Sequence, residues 1–194
     1  SSEFALDVPT KGLGITEWHC PHPPLGEDDS NDQCCVFHTD PAEIPDDVDQ
    51  REVLLDAINN TGDGPQDDRP EHRGQFVGAT FGGIDLSGKT IPATEDYDIR
   101  FDHAQFRADN GDLDFSGTTF LTQGQRQISF YRATFRTDGD GNVGFGGATF
   151  QTDGYFDVYF RDATFWAAGD GDVGFGSATF RTENDGDVRF DRAT

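Results

Sequence analysis

One short motif, Phe-x-x-Ala-Thr-Phe or a close copy of it, recurs through the second part of this chain of 194 residues. A second Phe follows the first at a fixed distance, and a β-branched residue or Leu stands two positions before the first, as in Val143-x-Phe145. Internal repetition at a short, fixed period is typical of solenoids, in which each repeat stacks on its neighbour. The first Phe of the later copies falls in a constant 15-residue register at Phe115, Phe130, Phe145, Phe160, Phe175 and Phe190.

The residues within each repeat indicate very short β-strands separated by corners. Pairs such as Val143-x-Phe145 and Ala148-x-Phe150 place two side chains on the same face of a strand. Gly, Asp, Arg, Ser and Thr occupy the positions between the pairs and suit tight turns. Stacking such coils about 4.8 Å apart satisfies the backbone along the axis and aligns the Phe rings in internal columns. The predicted structural core consists of Phe115, Phe120, Phe130, Phe135, Phe145, Phe150, Phe160, Phe165, Phe175, Phe180 and Phe190.

The segment from Gln75 to Ala93 carries the same signal in pentapeptide units. It reads Gln-Phe-Val-Gly, Ala-Thr-Phe-Gly-Gly, Ile-Asp-Leu-Ser-Gly, Lys-Thr-Ile-Pro-Ala, with central residues at Phe76, Phe81, Leu86 and Ile91. This resembles the pentapeptide-repeat proteins, and the later Phe-rich copies resemble the variants common in haloarchaea. The resemblance covers roughly residues 74–194. It implies an all-β fold, a right-handed parallel β-helix of square section with four pentapeptides per coil.

Every third unit of the later repeats departs from this pattern because it is polar, as in Asp138-Gly-Asp-Gly-Asn142. In a strict 20-residue coil Asp140, Asp170 and Asp185 would point inward, where an unpaired carboxylate costs several kcal/mol. Two solutions remain open: the polar unit bulges out as a loop, or the coil closes after a single 15-residue repeat. The unbroken register slightly favours the second. The chain stops where another Phe is due, so we expect the solenoid to be truncated at its C-terminus.

The sequence divides the chain before the repeats into two parts. Residues 1–45 are irregular and rich in turns, and contain all three Cys. Residues 46–73 are predicted to form a short helix and a linker, with Asp46 as the N-cap and an apolar stripe on the helix. That stripe consists of Val48, Leu54, Leu55 and Ile58.

A candidate zinc site lies in the irregular head. Cys20-x-His22 and Cys35-x-x-His38 are spaced so that one chain turn can present both ligands, and Cys34 is an alternative to Cys35. A closed Cys₂His₂ site would be structural, and its metal would supply folding energy to a segment with little core. Two competing interpretations remain: reduced Cys and ordinary His in a loop, or packing of Cys35, Val36 and Phe37 against the first coil of the solenoid.

The Asp-Gly corners are a second, weaker candidate for metal binding. Stacked at one corner, Asp140, Asp170 and Asp185 could bind Ca²⁺ between coils. However, Asp-Gly is first of all a turn dipeptide, and the repeats lack the spacing of known calcium loops. We therefore expect no calcium here, and no cofactor other than zinc.

The charge of the chain bears on its environment and partners. Its 37 Asp and Glu outnumber 14 Lys and Arg, which gives a net charge of −23. Excess carboxylate keeps a protein hydrated in concentrated salt, where self-repulsion is screened, and so indicates a halophilic source. Direct contact with nucleic acid is disfavoured because phosphates require a basic patch. No apolar stretch in the sequence is long enough to span a membrane, and its first residues do not have the pattern of a signal peptide, so a cytoplasmic location is expected.

Together these features predict a protein-interaction or structural scaffold rather than an enzyme, since the sequence contains no recognisable catalytic constellation. One alternative is a DNA mimic that binds a type II topoisomerase such as gyrase, because some members of the family it resembles do so. Another is the soluble portion of a larger membrane or channel protein. The protein partner is unknown, and a homodimer or a continuation of the solenoid is possible.

Overall fold

The computed structural model describes residues 20–22, 35–59, 73–94, 96–109 and 111–194. A 3₁₀ turn at Pro41–Glu43 and one helix, α1 at Gln50–Asn59, precede the repeats. The helix begins later than predicted because Asp49, rather than Asp46, caps it. The Asp49 carboxylate accepts hydrogen bonds from the backbone N–H of Arg51 at 2.8 Å and of Glu52 at 3.4 Å.

Fifteen short strands follow in the described residues. They are β1 Thr80–Gly82, β2 Thr90–Ala93, β3 Ile99–Arg100, β4 Gln105–Ala108, β5 Leu113–Asp114, β6 Thr119–Gly124, β7 Ile128–Ser129, β8 Thr134–Thr137, β9 Val143–Gly144, β10 Thr149–Gly154, β11 Val158–Tyr159, β12 Thr164–Ala167, β13 Val173–Gly174, β14 Thr179–Thr182 and β15 Val188–Arg189. All their pairings are parallel, and they stack as four sheets in the orders β1-β4-β8-β12, β2-β6-β10-β14, β3-β7-β11-β15 and β5-β9-β13. The chain is therefore a β-solenoid, which confirms the predicted fold class.

The register of the sheets sets the length of one coil. Thr149 pairs with Thr119 below it and with Thr179 above it, so that one coil spans two copies of the repeat. The first coil is shorter, since Thr80 pairs with Gln105. The expectation of a 15-residue coil is therefore wrong, because one such repeat makes only half a coil. Each later coil has four sides, and each side contributes one inward Phe.

The polar units lengthen the coil without entering its core. In the unit that contains Asp140, the buried hydroxyl of Thr137 donates a hydrogen bond to the carbonyl of Gly141 at 2.5 Å, and Asp140 is exposed. Gly141 lies so close to the coil below that a Cβ atom there would be 1.8 Å from the carbonyl oxygen of Gly111. The polar unit thus extends the corner outward, as in the first of the two solutions considered above.

Four columns of stacked Phe rings fill the solenoid. In one of them Phe106, Phe135 and Phe165 stack in parallel, with ring centroids 4.7 and 4.9 Å apart. Rings of adjacent columns meet edge to face, as Phe115 meets Phe135 at 5.6 Å and 80°. Seven of the predicted core rings are fully buried: Phe115, Phe120, Phe130, Phe135, Phe145, Phe150 and Phe160. Phe165, Phe175 and Phe190 are half-buried and Phe180 is exposed, since they lie in the last coil.

The corner after the first Phe of each copy repeats one backbone geometry. The N–H three residues on donates to the Phe carbonyl, as from Ala133 to Phe130 at 3.0 Å. The residue before that N–H adopts a positive φ, 65° at Gly147 and 56° at Arg132. Glycine adopts this conformation freely, whereas other residues lose about 1–2 kcal/mol. The stacking of the coils therefore holds several non-glycine corners in an unfavourable conformation.

The N-terminal segment and α1 cover the first coil. Leu54 and Ile58 of α1 and Phe37 of the head are buried, and the Phe37 ring meets the Phe76 ring edge to face at 5.0 Å. The Tyr97 hydroxyl donates to the carbonyl of Ile58 near the end of the helix. We call residues 20–22 and 35–59 the cap. In the described part of the chain no helix has the length and apolar character needed to cross a lipid bilayer.

Candidate metal centre

Three potential metal ligands converge in the cap beside the first coil. The Sγ atoms of Cys20 and Cys35 lie 3.0 Å apart, and Cys35 Sγ lies 3.1 Å from Nδ1 of His38. One ligand atom from each residue falls within 4.8 Å of the other two. Cys35 is buried, while Cys20 and His38 are half-buried. Two sulfurs and one imidazole nitrogen form a donor set suited to Zn²⁺ and similar metals.

A backbone carbonyl of the first repeat orients the imidazole of His38. Nε2 lies 3.0 Å from the Val77 carbonyl oxygen and donates its hydrogen to it. Nδ1 is thereby directed at the sulfur of Cys35, and metal-binding histidines usually hold their second ring nitrogen in this way. The orienting group is a main-chain atom, so no side-chain motif in the sequence signals it.

Charge within the cluster favours the thiolate. The hydrogen bond with Cys20 has the largest influence on the pKa of Cys35, burial opposes it and His38 adds to it; together they lower that pKa to about 4. Burial lowers the pKa of His38, but the hydrogen bond and the charge of Cys35 outweigh it and raise the pKa overall. The site therefore resists protonation of the sulfur, and a thiolate is the form that binds metals.

His22, the fourth of the predicted ligands, is not a member of this group. Its Nε2 lies 2.9 Å from the Gln75 carbonyl oxygen, and its ring stacks on Phe76 with centroids 4.9 Å apart and meets Phe37 edge to face. His22 thus continues one Phe column by a further ring. Sequence spacing alone does not distinguish a ligand from an aromatic ring that packs. Cys34, the predicted alternative ligand, lies outside the described residues.

The cluster also agrees with the competing interpretation that the segment packs on the first coil. Cys35, Val36 and Phe37 are all buried in the same apolar core as the first repeats. Packing and metal binding are compatible here, because the sulfur of Cys35 faces Cys20 and His38.

The predicted calcium corner is not assembled as one site. Asp140 and Asp170 occupy equivalent positions in successive coils, and the Asp140 carboxylate accepts a hydrogen bond from the backbone N–H of Asp170 at 3.3 Å. Asp185 follows β14 and lies on another side, where the carboxylate of Asp157 accepts from the N–H of Asp187 at 2.8 Å. The carboxylates of Asp140 and Asp157 therefore link successive coils by accepting backbone hydrogen bonds.

Two buried polar groups could not be anticipated from the sequence, and the first is Gln50. It donates through Nε2 to the carbonyls of Val36 at 3.0 Å and Thr80 at 2.9 Å, and its Oε1 accepts from the N–H of Gly82 at 3.1 Å. It joins the head, α1 and β1 in a single contact. A lone Gln in the first turn of a helix gives no sequence signal of such a role.

The second group is the carboxylate of Asp102, which is almost fully buried. It accepts a hydrogen bond from Nε of Arg100 at 3.0 Å and one from the hydroxyl of Ser129 in the next coil. Burial of this charge is offset by its hydrogen-bonded partners. The network is structural, since Arg100 and Ser129 belong to the paired strands β3 and β7.

Comparison with family models, curated proteins and solved structures finds no match for this chain. The likeness to pentapeptide-repeat proteins therefore rests on the repeated residues alone. Any functional conclusion must be drawn from the geometry of the fold and of its surfaces.

Proposed function

We propose that this protein is a non-enzymatic scaffold whose solenoid binds a protein partner through its outer surface. The observation that supports this proposal is the filled interior. Within each Phe column the centroids of stacked rings lie 4.6 to 5.2 Å apart, so side chains fill the space inside the coils. Recognition by such a molecule takes place on its sides, as is general for solenoids.

One corner of the solenoid has the character of a contact site. Tyr155 and Phe156 follow β10 and are 60% and 42% exposed. Large aromatic side chains are enriched among the residues that dominate binding energy at protein interfaces. Most other outward positions on these coils are polar or small; in the described residues the strongly exposed outward aromatic side chains are this pair and Trp166 on β12, which is 56% exposed. Tyr155 and Phe156 differ from Trp166 because they are adjacent and form one patch.

The backbone holds this pair rigidly. The N–H of Tyr155 donates to the Gly124 carbonyl at 3.0 Å, and a Cβ atom at Gly154 would lie 2.0 Å from that same oxygen. The buried Asp157 fixes the other end of the corner by its bond to the next coil. Because the backbone is fixed on both sides of the pair, binding costs little backbone conformational entropy, which favours affinity.

Acidic residues next to the pair indicate what kind of partner surface would bind there. Asp185, in the coil above Tyr155, is exposed, and Asp153 precedes the pair on β10. We propose that the partner presents an apolar pocket bordered by Arg or Lys. Such a surface complements both the rings and the acidic surroundings.

The test is binding by surface variants of the full chain. Partners captured from an extract of the source organism, at the salt concentration of its cytoplasm, are purified and titrated calorimetrically against each variant. We expect Tyr155→Ser/Phe156→Ser to weaken binding at least tenfold, since hot-spot truncations cost about 2 kcal/mol or more. Gln125→Ser, which changes an exposed residue one coil below, serves as the control. Equal binding by the double variant and the control would refute the proposed contact site.

The same titration distinguishes partner binding at the aromatic corner from the alternative that the protein is a DNA mimic. A type II topoisomerase partner would be displaced by duplex DNA and would depend on the carboxylates rather than on the aromatic corner. A minority of the carboxylates are paired with arginines of the same coil or the next, such as Arg136 with Asp138 at 2.7 Å and Arg192 with Asp162. We favour the aromatic corner as the contact because it offers two large exposed rings at a defined place in the fold.

A further inference from the structure

We propose that Cys20, Cys35 and His38 bind a single Zn²⁺ ion that fastens the N-terminal segment to the first coil of the solenoid. The three residues come from two separate parts of the chain, yet their sulfur and nitrogen atoms converge within 4.8 Å. An ion at about 2.3 Å from each sulfur and about 2.0 Å from the nitrogen can reach all three.

The composition of the chain makes this convergence informative. Only three Cys and five His occur among 194 residues, and two of those Cys and one of those His meet at this point. Soft sulfur ligands combined with imidazole select zinc over the hard cations that the abundant surface carboxylates attract. The donor set therefore differs in kind from the acidic surface around it.

The orientation of His38 is a second observation, independent of that proximity. The Val77 carbonyl holds Nε2, so the ring can offer only Nδ1 to a metal. This is the outer-shell arrangement that fixes metal-binding histidines. It also connects the site to the solenoid, since Val77 belongs to the first repeat.

The site is placed to hold the cap closed. Pro21 and His22 follow Cys20 directly, and the His22 ring covers Phe76. Phe37 lies between Cys35 and His38 and packs against both Phe76 and Phe81. A metal that joins these two segments of the chain holds His22 on Phe76 and Phe37 on Phe76 and Phe81. Without these contacts the end of the first coil would be exposed to water. The ion therefore acts structurally by joining the two segments, and metal binding is coupled to folding of the cap. Cys20, Cys35 and His38 supply three ligands, and the tetrahedral geometry of zinc requires a fourth ligand from outside this group.

The experiment uses the full chain and Co²⁺ as a spectroscopic probe for Zn²⁺. Thiolate ligation gives a charge-transfer absorption in the near ultraviolet that carboxylate-bound cobalt lacks, so the acidic surface does not interfere. We expect one equivalent of Co²⁺ to produce this band and one equivalent of Zn²⁺ to remove it. At a hundredfold excess over its dissociation constant, the ion should raise the thermal midpoint of the transition in which the cap unfolds by about 5 °C or more.

Three variants make the test specific. Cys20→Ser removes one of the two thiolates and should lower the band at saturating Co²⁺, whereas His38→Asn keeps both thiolates and should weaken Co²⁺ binding so that one equivalent no longer saturates the site. Both variants should lose most of the thermal shift. His103→Asn is the matched control: His103 lies at a solenoid corner with φ of 58°, which Asn tolerates, and it should keep both. Circular dichroism of each variant without metal shows whether the solenoid itself is folded, so that loss of the band is assigned to the ligand.

Two results would overturn the proposal. The first is a Co²⁺ spectrum without the thiolate band in the reduced wild-type protein. The second is a Cys20–Cys35 disulfide in a Cys34→Ser variant purified under the salt and redox conditions of the source, detected as a loss of two hydrogens by mass spectrometry. Neither result bears on the aromatic corner around Tyr155, so failure here is distinguishable from failure of the proposed partner binding.

Discussion

The solenoid and the cap achieve the same end, a buried aromatic core, by different means. In the solenoid each contact is repeated: Phe130 stacks on Phe101 below and Phe160 above, with ring centroids 5.0 and 4.6 Å apart. In the cap each contact occurs once, as in the three hydrogen bonds of Gln50. A repeated contact can be weakened in one coil and survive in the others. A contact made once has no substitute, so the cap depends on individual residues.

This difference predicts where single substitutions act. Substitution of a Phe inside a column removes its stacking contacts with the rings above and below. It also leaves a cavity between those two rings. A change in the cap disconnects one end of the molecule from the rest. Because solenoid stability is the sum of nearest-neighbour terms, the two kinds of damage are separable by experiment.

The largest effect is expected for Phe135→Ala, in the middle of a column. Phe135 is fully buried and stacks on Phe106 and Phe165. Loss of a buried Phe costs about 3 to 5 kcal/mol. Urea denaturation followed by circular dichroism, at constant high salt, measures the loss.

The control for this substitution is Phe180→Ala in the last coil. Phe180 is 48% exposed and stacks only on Phe150. Its removal should cost roughly 1 to 2 kcal/mol, in proportion to the smaller area it buries. Equal losses for the two variants would contradict the view that the internal columns are the main source of stability.

The repeated part of the fold was largely predictable, and the reason is that its signal is also repeated. The spacing of Phe115, Phe120 and Phe130 identified the inward positions because every coil presents them again. The length of the coil was not predictable, since the same register is compatible with coils of one repeat or of two. Only the pairing of strands, such as Thr149 with Thr179, decides between them. Four rings per layer are needed to fill the interior, and one repeat supplies two.

The cap was predictable only in its residue types. Cys20, Cys35 and His38 were singled out by their chemistry, and the structure brings them together. The position of His22 depends on its stacking with Phe76, which belongs to a distant part of the sequence. The role of Gln50 depends on backbone groups of two other segments. Contacts that occur once and join distant segments produce no repeated pattern in the sequence, so they cannot be predicted from it.

A smaller effect is expected for Gln50→Met, which tests the single-copy contact directly. Met preserves the volume but leaves the carbonyls of Val36 and Thr80 and the N–H of Gly82 without this partner. Buried groups left unsatisfied cost about 1 to 3 kcal/mol. We expect hydrogen exchange of the amides in α1 and β1 to accelerate, with the amides of β10 and β11 unchanged.

Gln123→Met is the matched control, because Gln123 is exposed on β6. It should leave exchange unchanged throughout the chain. If Gln50→Met accelerated exchange equally in the cap and in the later coils, the two regions would unfold as one unit and their separation would be wrong.

The smallest change in stability is expected at a corner whose backbone conformation is the same in successive coils but whose residue differs. Gly147 and Ser177 occupy the same position in successive coils, with φ of 65° and 58°. A Cβ atom at Gly147 would meet no atom within 4 Å, so any cost of a side chain there is conformational. Gly147→Ser should therefore destabilise the protein by about 1 to 2 kcal/mol, and Ser177→Gly should stabilise it by about 1 kcal/mol or less, because the last coil contributes less to global unfolding.

Gly146→Ser separates backbone conformation from loss of a glycine. Gly146 does not have a positive φ, and its Cβ would lie 3.7 Å from the nearest atoms, which is an ordinary contact. This variant should be neutral or slightly stabilising in the same urea titrations, because it restricts the unfolded chain. Equal destabilisation by Gly146→Ser and Gly147→Ser would show that the corner does not tolerate a side chain at either position, whatever its backbone conformation. Opposite signs at Gly147 and Ser177, with little change at Gly146, would show that the left-handed backbone of each corner carries its own conformational cost, independent of the other corners.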